Sequence, residues 1–244
     1  MVTNLAYFFE TSRKVRGGKW VWVKDSNGEQ RGNVLLGGTI LNPKKGFDHL
    51  YAAQLVQYTP AEGCLIFRSF KVHTATSAAT DTTIYLEADG YSDAPEVGML
   101  LMVAPDDVKV TTATANTTSG AVSYTVADYT GQSAKVTAVE YDEANKKFAV
   151  TLDNALGSLT TDSILVEATG TAKSASAKVL VPNPNTFIEA DRDMLPTDGY
   201  GIANTANYSI STVYNKQAWI ARMQPLPKYV LAKNKSLIDG IFWI

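Results

Sequence analysis
The stretch "SAKVTAVEYDEANKKFAVTLD", residues 133–153, decides the fold class. Val136, Val139 and Tyr141 precede the polar linker Asp142, Glu143, Ala144, Asn145 and Lys146, and Phe148, Val150 and Leu152 follow it. Apolar side chains at alternate positions lie on one face of a strand, and a short polar linker lets the second run fold back on the first. The stretch reads as a β-hairpin with one buried face.

The flanking segments repeat the pattern. "CLIFRSFKVHTAT" (residues 64–76), "TTIYLEAD" (82–89) and "VGMLLMVAPDDVKV" (97–110) are β-rich runs bounded by Gly, Pro, Asp or Ser, and "DSILVEATGTAKSASAKVLVP" (162–182) adds two more. Near the start, "KWVWVKDSNGEQRGNVLL" (19–36) alternates Trp20 and Trp22 with Val21 and Val23 ahead of a turn-forming Asp25-Ser26-Asn27-Gly28, which predicts another hairpin. "FDHLYAAQLVQYTP" (47–60) spaces Phe47, Leu50, Tyr51, Leu55 and Tyr58 at near-helical intervals before Pro60, so one short helix is expected there. The Thr-rich stretch 110–132 is expected to be an extended insert with strand propensity.

The expected class is therefore all-β: a sandwich or small barrel of short antiparallel strands, with extended N- and C-terminal arms and little helix. Three regions are expected: a hairpin and short helix over 1–61, the β-domain with its Thr-rich insert over 62–182, and a Pro-punctuated arm with strands over 183–244. That last region carries Pro184, Pro196, Pro225 and Pro227, which favour extended backbone. It closes on "SLIDGIFWI" (236–244), with Ile241, Phe242, Trp243 and Ile244 in a row. Large apolar side chains of this kind need a cover, either in their own sheet or on a neighbour.

Composition narrows the function classes. The 244 residues carry a formal net charge of -2 and 19% charged residues, which argues against a surface built to hold nucleic-acid phosphates. No run approaches the roughly 18 apolar residues of a membrane span, so no membrane partner is expected. The first residues, "MVTNLAYFFETSRKVRGG", reverse the order of a secretory leader, and a mature N-terminus is expected. The lone Cys64 cannot form an internal disulfide and is read as a small buried hydrophobe.

Signals for chemistry are sparse. His49 and His73 lie in unrelated contexts, and Asp48 beside His49 places the two side chains on diverging paths. One Cys and two distant His give no zinc spacing. Glu189, Asp191 and Asp193 alternate and would share one face of an extended chain, a pattern that suits Ca²⁺ or a carboxylate hydrolase but equally a solvated turn. Arg13, Lys14, Arg16 and Lys19 beside Trp20 and Trp22 form the one basic and aromatic cluster. No phosphate-binding glycine loop or nucleophile elbow is present. The expectation is no catalytic residue, no cofactor and no metal.

The runs "VGMLLMVAPDD" (97–107), "GQSAKVTAVEYDEANKKFAVTLDNALGSLTTDSILVEA" (131–168) and "AWIARMQPLPKYVLAKNKSLIDGIFWI" (218–244) together resemble tailed-phage virion proteins, and more narrowly the head decoration or auxiliary capsid proteins of crAss-like phages of Bacteroides-like bacteria. The resemblance spans roughly residues 90–244 in style, and no motif carries a binding residue over by position. It implies a small β-domain on the outside of an icosahedral shell, present in many copies, contacting the major capsid protein and neighbouring virion subunits, without catalysis. The protein would be made in the host cytoplasm and reside on the capsid exterior. Partner contact is expected at Trp219, Pro225, Pro227, Phe242, Trp243 and Ile244, by strand addition or by aromatic anchoring in a groove. The alternative is a head-fibre or tail accessory module that binds host-surface glycans through Tyr91, Tyr124 and Tyr129.

Overall fold
A computed structural model describes residues 33–44, 48–59, 62–88, 94–105, 114–115, 122–123, 130–188, 192–194, 209–214 and 223–233. In chain order the strands are β1 (Asn33–Thr39), β2 (Asp48–Leu50), β3 (Leu55–Thr59), β4 (Gly63–Ile66), β5 (Ser69–Thr74), β6 (Thr83–Glu87), β7 (Leu100–Val103), β8 (Thr114–Ala115), β9 (Val122–Ser123), β10 (Thr130–Gly131), β11 (Ser133–Asp142), β12 (Lys147–Leu152), β13 (Ile164–Thr169), β14 (Ala177–Val179), β15 (Thr186–Ile188), β16 (Arg192–Met194) and β17 (Ser209–Tyr214), followed by one described helix, α1 (Lys228–Lys233). They build two main antiparallel sheets in a sandwich-like arrangement, as the alternation of the sequence leads one to expect.

The hairpin of residues 133–153 forms as read. β11 and β12 pair with Asp142 opposite Lys147, Tyr141 opposite Phe148 and Val139 opposite Val150. The register shifts between Val136 and Ala138. A bulge there absorbs one residue, so that Val136 and Val139, three apart in sequence, still turn to the same face. The Phe148 and Tyr141 rings meet on that face, centroids 5.4 Å apart.

The eight-stranded sheet curls until it closes. β5 pairs with β6, β6 with β12, β12 with β11, β11 with β7, β7 with β13 and β13 with β5, every pair antiparallel. Each strand of this six-membered ring sends a fully buried side chain inward: Val72, Leu86, Val150, Val136, Leu101 and Leu165. A barrel of this size has room for side chains and little else. Alternate residues of the same strands face out, and Met102 and Val166 join Phe67, Leu55, Phe187 and Tyr229 in a second cluster. That cluster is the layer between the two sheets.

The smaller sheet has the order β1-β17-β15-β3-β4. Its outer strands approach each other, since the end of β1 meets β4 in a parallel bridge between Ile40 and Cys64, and Leu41 N donates to Cys64 O at 2.8 Å. Ile40, Val56, Cys64, Ile66 and Ile188 fill its inner face. Phe67 and Arg68 carry the chain from β4 in this sheet to β5 in the other. The small sheet gathers strands from all three regions expected in the sequence, because β3 pairs with β4 across position 62 while β15 and β17 come from the C-terminal third.

Two expectations are corrected. The helix expected over 47–58 is instead β2, a turn and β3. Residues 50–56 are buried without interruption, so apolar spacing there reports burial on both faces rather than a helical stripe. Ala53 has φ 65°, a left-handed conformation that no helix continues through. The buried Gln54 amide holds the turn by accepting from Tyr51 N at 3.1 Å and donating to Phe67 O at 3.2 Å. Conversely, residues 228–233, read as part of a strand-like arm, are helical. Pro227 precedes the first turn and its carbonyl accepts from Val230 N and Leu231 N, a position that tolerates proline because no amide hydrogen is needed there. The run holding Trp20 and Trp22 lies outside the described residues, and the end of its return run is β1, paired with β17.

Candidate interaction surface
The residues of the expected partner site fall into two groups. Trp219, Phe242, Trp243 and Ile244 lie outside the described residues. Pro225 and Pro227 are described, and both belong to a segment, 223–231, fastened to its own β-domain. Ser69 Oγ donates to Pro225 O at 2.5 Å. Pro227 is buried, and Tyr229 is fully buried beside it. The Tyr229 ring stands edge-on to Phe67, with centroids 6.4 Å apart and planes at 81°, and its hydroxyl donates to Val181 O at 3.3 Å. Met223 and Val230 complete the seat within the layer between the sheets.

Between Phe67 and Ser69, which both touch this segment, Arg68 enters a polar junction. Arg68, 4% exposed, puts Nη1 3.1 Å from Glu167 Oε2, and Glu167 is 15% exposed. The same Nη1 donates to Asn42 O at 2.8 Å. Asn42 Nδ2 donates to Glu167 Oε2 at 3.0 Å and to Ile66 O at 2.9 Å, while Asn42 Oδ1 accepts from Ile66 N at 2.8 Å. A buried guanidinium needs a countercharge and filled hydrogen bonds to be tolerated, and the carboxylate and the Asn42 carbonyl supply both. Asn185 repeats the device on β3, accepting from Tyr58 N at 2.7 Å and donating to Tyr58 O at 2.9 Å. Nothing in the alternation of apolar residues marks these asparagines; the available signal was their place beside Pro43 and Pro184, where a strand must stop and its neighbour's backbone groups need other partners.

Among the described residues, Cys64 and Asp81 are shifted by their surroundings. Burial pushes the Cys64 thiol up to about 11, so it stays protonated at neutral pH, and its reading as a buried hydrophobe holds. Asp81 Oδ2 accepts from Ala78 N, Ser77 Oγ and Ser77 N, which holds its carboxyl below the usual range. His73 Nδ1 lies 2.8 Å from Thr74 Oγ1 on β5. The pairing of β16 with β2 sets Asp193 opposite His49, two positions that the sequence gives no reason to associate. Glu189 and Asp191 lie outside the described residues, as do Arg13, Lys14, Arg16, Lys19 and the tyrosines Tyr91, Tyr124 and Tyr129. Among the described residues there is no group of three His, Cys, Asp or Glu side chains placed to hold a metal ion, and no helix long and apolar enough to cross a membrane.

The fold and these contacts define an all-β protein of two packed antiparallel sheets with a C-terminal segment seated between them. Compared with known protein families and with curated proteins, the sequence matches none.

Proposed function
We propose that the chain is a structural virion protein, an auxiliary or decoration protein that binds the outside of a phage capsid and stabilises contacts between major capsid subunits. The reading rests on the resemblance of residues 97–107, 131–168 and 218–244, and one structural observation supports it: the root of the C-terminal region is fixed. Ser69 to Pro225 O and the burial of Tyr229 against Phe67 hold the chain up to α1. Ile241 follows Lys233 by eight residues, a span of at most about 29 Å even when fully extended. Once the β-domain touches a shell, the apolar Ile241, Phe242, Trp243 and Ile244, joined to it by this short span of chain, would meet a neighbouring subunit at raised effective concentration. Repeated over many copies on one shell, modest contacts of this kind reinforce a capsid.

Immunogold electron microscopy of particles from a phage carrying this gene, with antibody raised against the purified protein, tests the proposal. The expected result is many labels over the icosahedral head of intact particles. Label confined to the tail or connector, or no label on purified particles that contain their major capsid protein, overturns it.

A further inference from the structure
No further inference is drawn: the strongest candidate, the open polar trough between the 75–82 loop and the start of β6, has Asp81 as its one carboxylate, with Oδ2 already held by Ser77 and Ala78 of the same loop, and nothing in the structure shows what covers it.

Discussion

The side-chain amide of Asn42 grips both backbone polar groups of Ile66, donating to its carbonyl at 2.9 Å and accepting from its amide at 2.8 Å. It does for β4 what the next residue of a paired strand would do, two residues after the parallel bridge between Ile40 and Cys64. Asn42→Ala leaves the amide and carbonyl of the fully buried Ile66 without these partners and is expected to cost about 1–3 kcal/mol. Asn42→Asp is expected to cost more, since a carboxylate cannot donate to Ile66 O and faces Glu167. Urea denaturation of the two variants checks the order, and equal midpoints for both and for the parent protein would remove the role assigned to Asn42.

The Arg68 and Glu167 pair makes a second, separable expectation. Removing the carboxylate strands the buried Arg68 charge, so Glu167→Met is expected to lose roughly 3–5 kcal/mol, and Arg68→Met less, since Glu167 is 15% exposed and keeps its bond from Asn42. Replacing both, Arg68→Met with Glu167→Met, removes the stranded charge along with the pair and is expected to recover most of that loss. A double-mutant cycle by chemical denaturation reads the coupling directly. Additive losses would show that the two side chains act independently despite their 3.1 Å separation.

The hairpin and the junction were unequally legible in the sequence. Period-two alternation around Asp142 and Asn145 announced β11 and β12, because one buried face stamps its period on the chain and the turn residues mark its reversal. The helix expected over 47–58 failed where both faces are buried and periodicity loses its meaning. α1 was missed because its short run follows two prolines, which read equally well as extended chain. Asn42, Arg68 and Glu167 are separated by 26 and 99 positions in sequence, and only the crossing of the chain between sheets brings them together. Pairing partners in a β-fold are chosen by tertiary packing, which no local pattern encodes.

Lys146 closes the linker between β11 and β12 at φ 52°, a left-handed conformation that costs a side-chain-bearing residue about 1–2 kcal/mol. Lys146→Gly relieves that cost and gives back part of it through the freer unfolded chain, for a net gain of about 0.5–1 kcal/mol. The backbone bond from Ala88 N to Lys146 O, 3.1 Å, survives the change. Thermal unfolding is expected to shift up by about 1–4 °C for a chain of this size, whereas Lys146→Val is expected to lower it. A lower midpoint for the glycine variant would contradict the strain argument.

Asp142 gives the hairpin an acid dependence. Its Oδ2 accepts from Asn145 Nδ2 at 2.7 Å and its Oδ1 from Asn145 N at 3.1 Å, and with Lys147 nearby these bonds hold its carboxyl below the usual carboxylate range. The unfolded chain therefore binds this proton more readily than the folded one. The stabilisation is fully present above the unfolded value, near pH 4, and is lost as pH falls through the lower folded value. Asp142→Asn removes the titrating group and keeps an acceptor for Asn145 N, so the slope of unfolding free energy against pH below about pH 4 should flatten. An unchanged acid limb in a series of urea titrations would place the sensitivity elsewhere, with Asp81 the next residue to test.

The seat of Tyr229 separates folding from partner binding. Tyr229→Phe removes the hydroxyl bond to Val181 O and should cost about 0.5–1.5 kcal/mol. Tyr229→Ala empties a fully buried site against Phe67 and should cost about 3–5 kcal/mol. Deletion of residues 241–244 removes none of the Tyr229, Phe67 and Val181 partners, and under the proposed function the shortened protein is expected to stay folded, with a cooperative urea transition as the check. Under the proposed function it nevertheless fails to enter particles, because the tether remains and the anchor is gone. Quantitative immunoblotting of purified virions for the parent protein, Tyr229→Phe and the deletion decides the matter. Tyr229→Phe should incorporate normally and the deletion should not. Full incorporation of a stably folded deletion variant would show that the contact with the shell lies on the β-body itself, and the assignment of Phe242, Trp243 and Ile244 as anchors would fall.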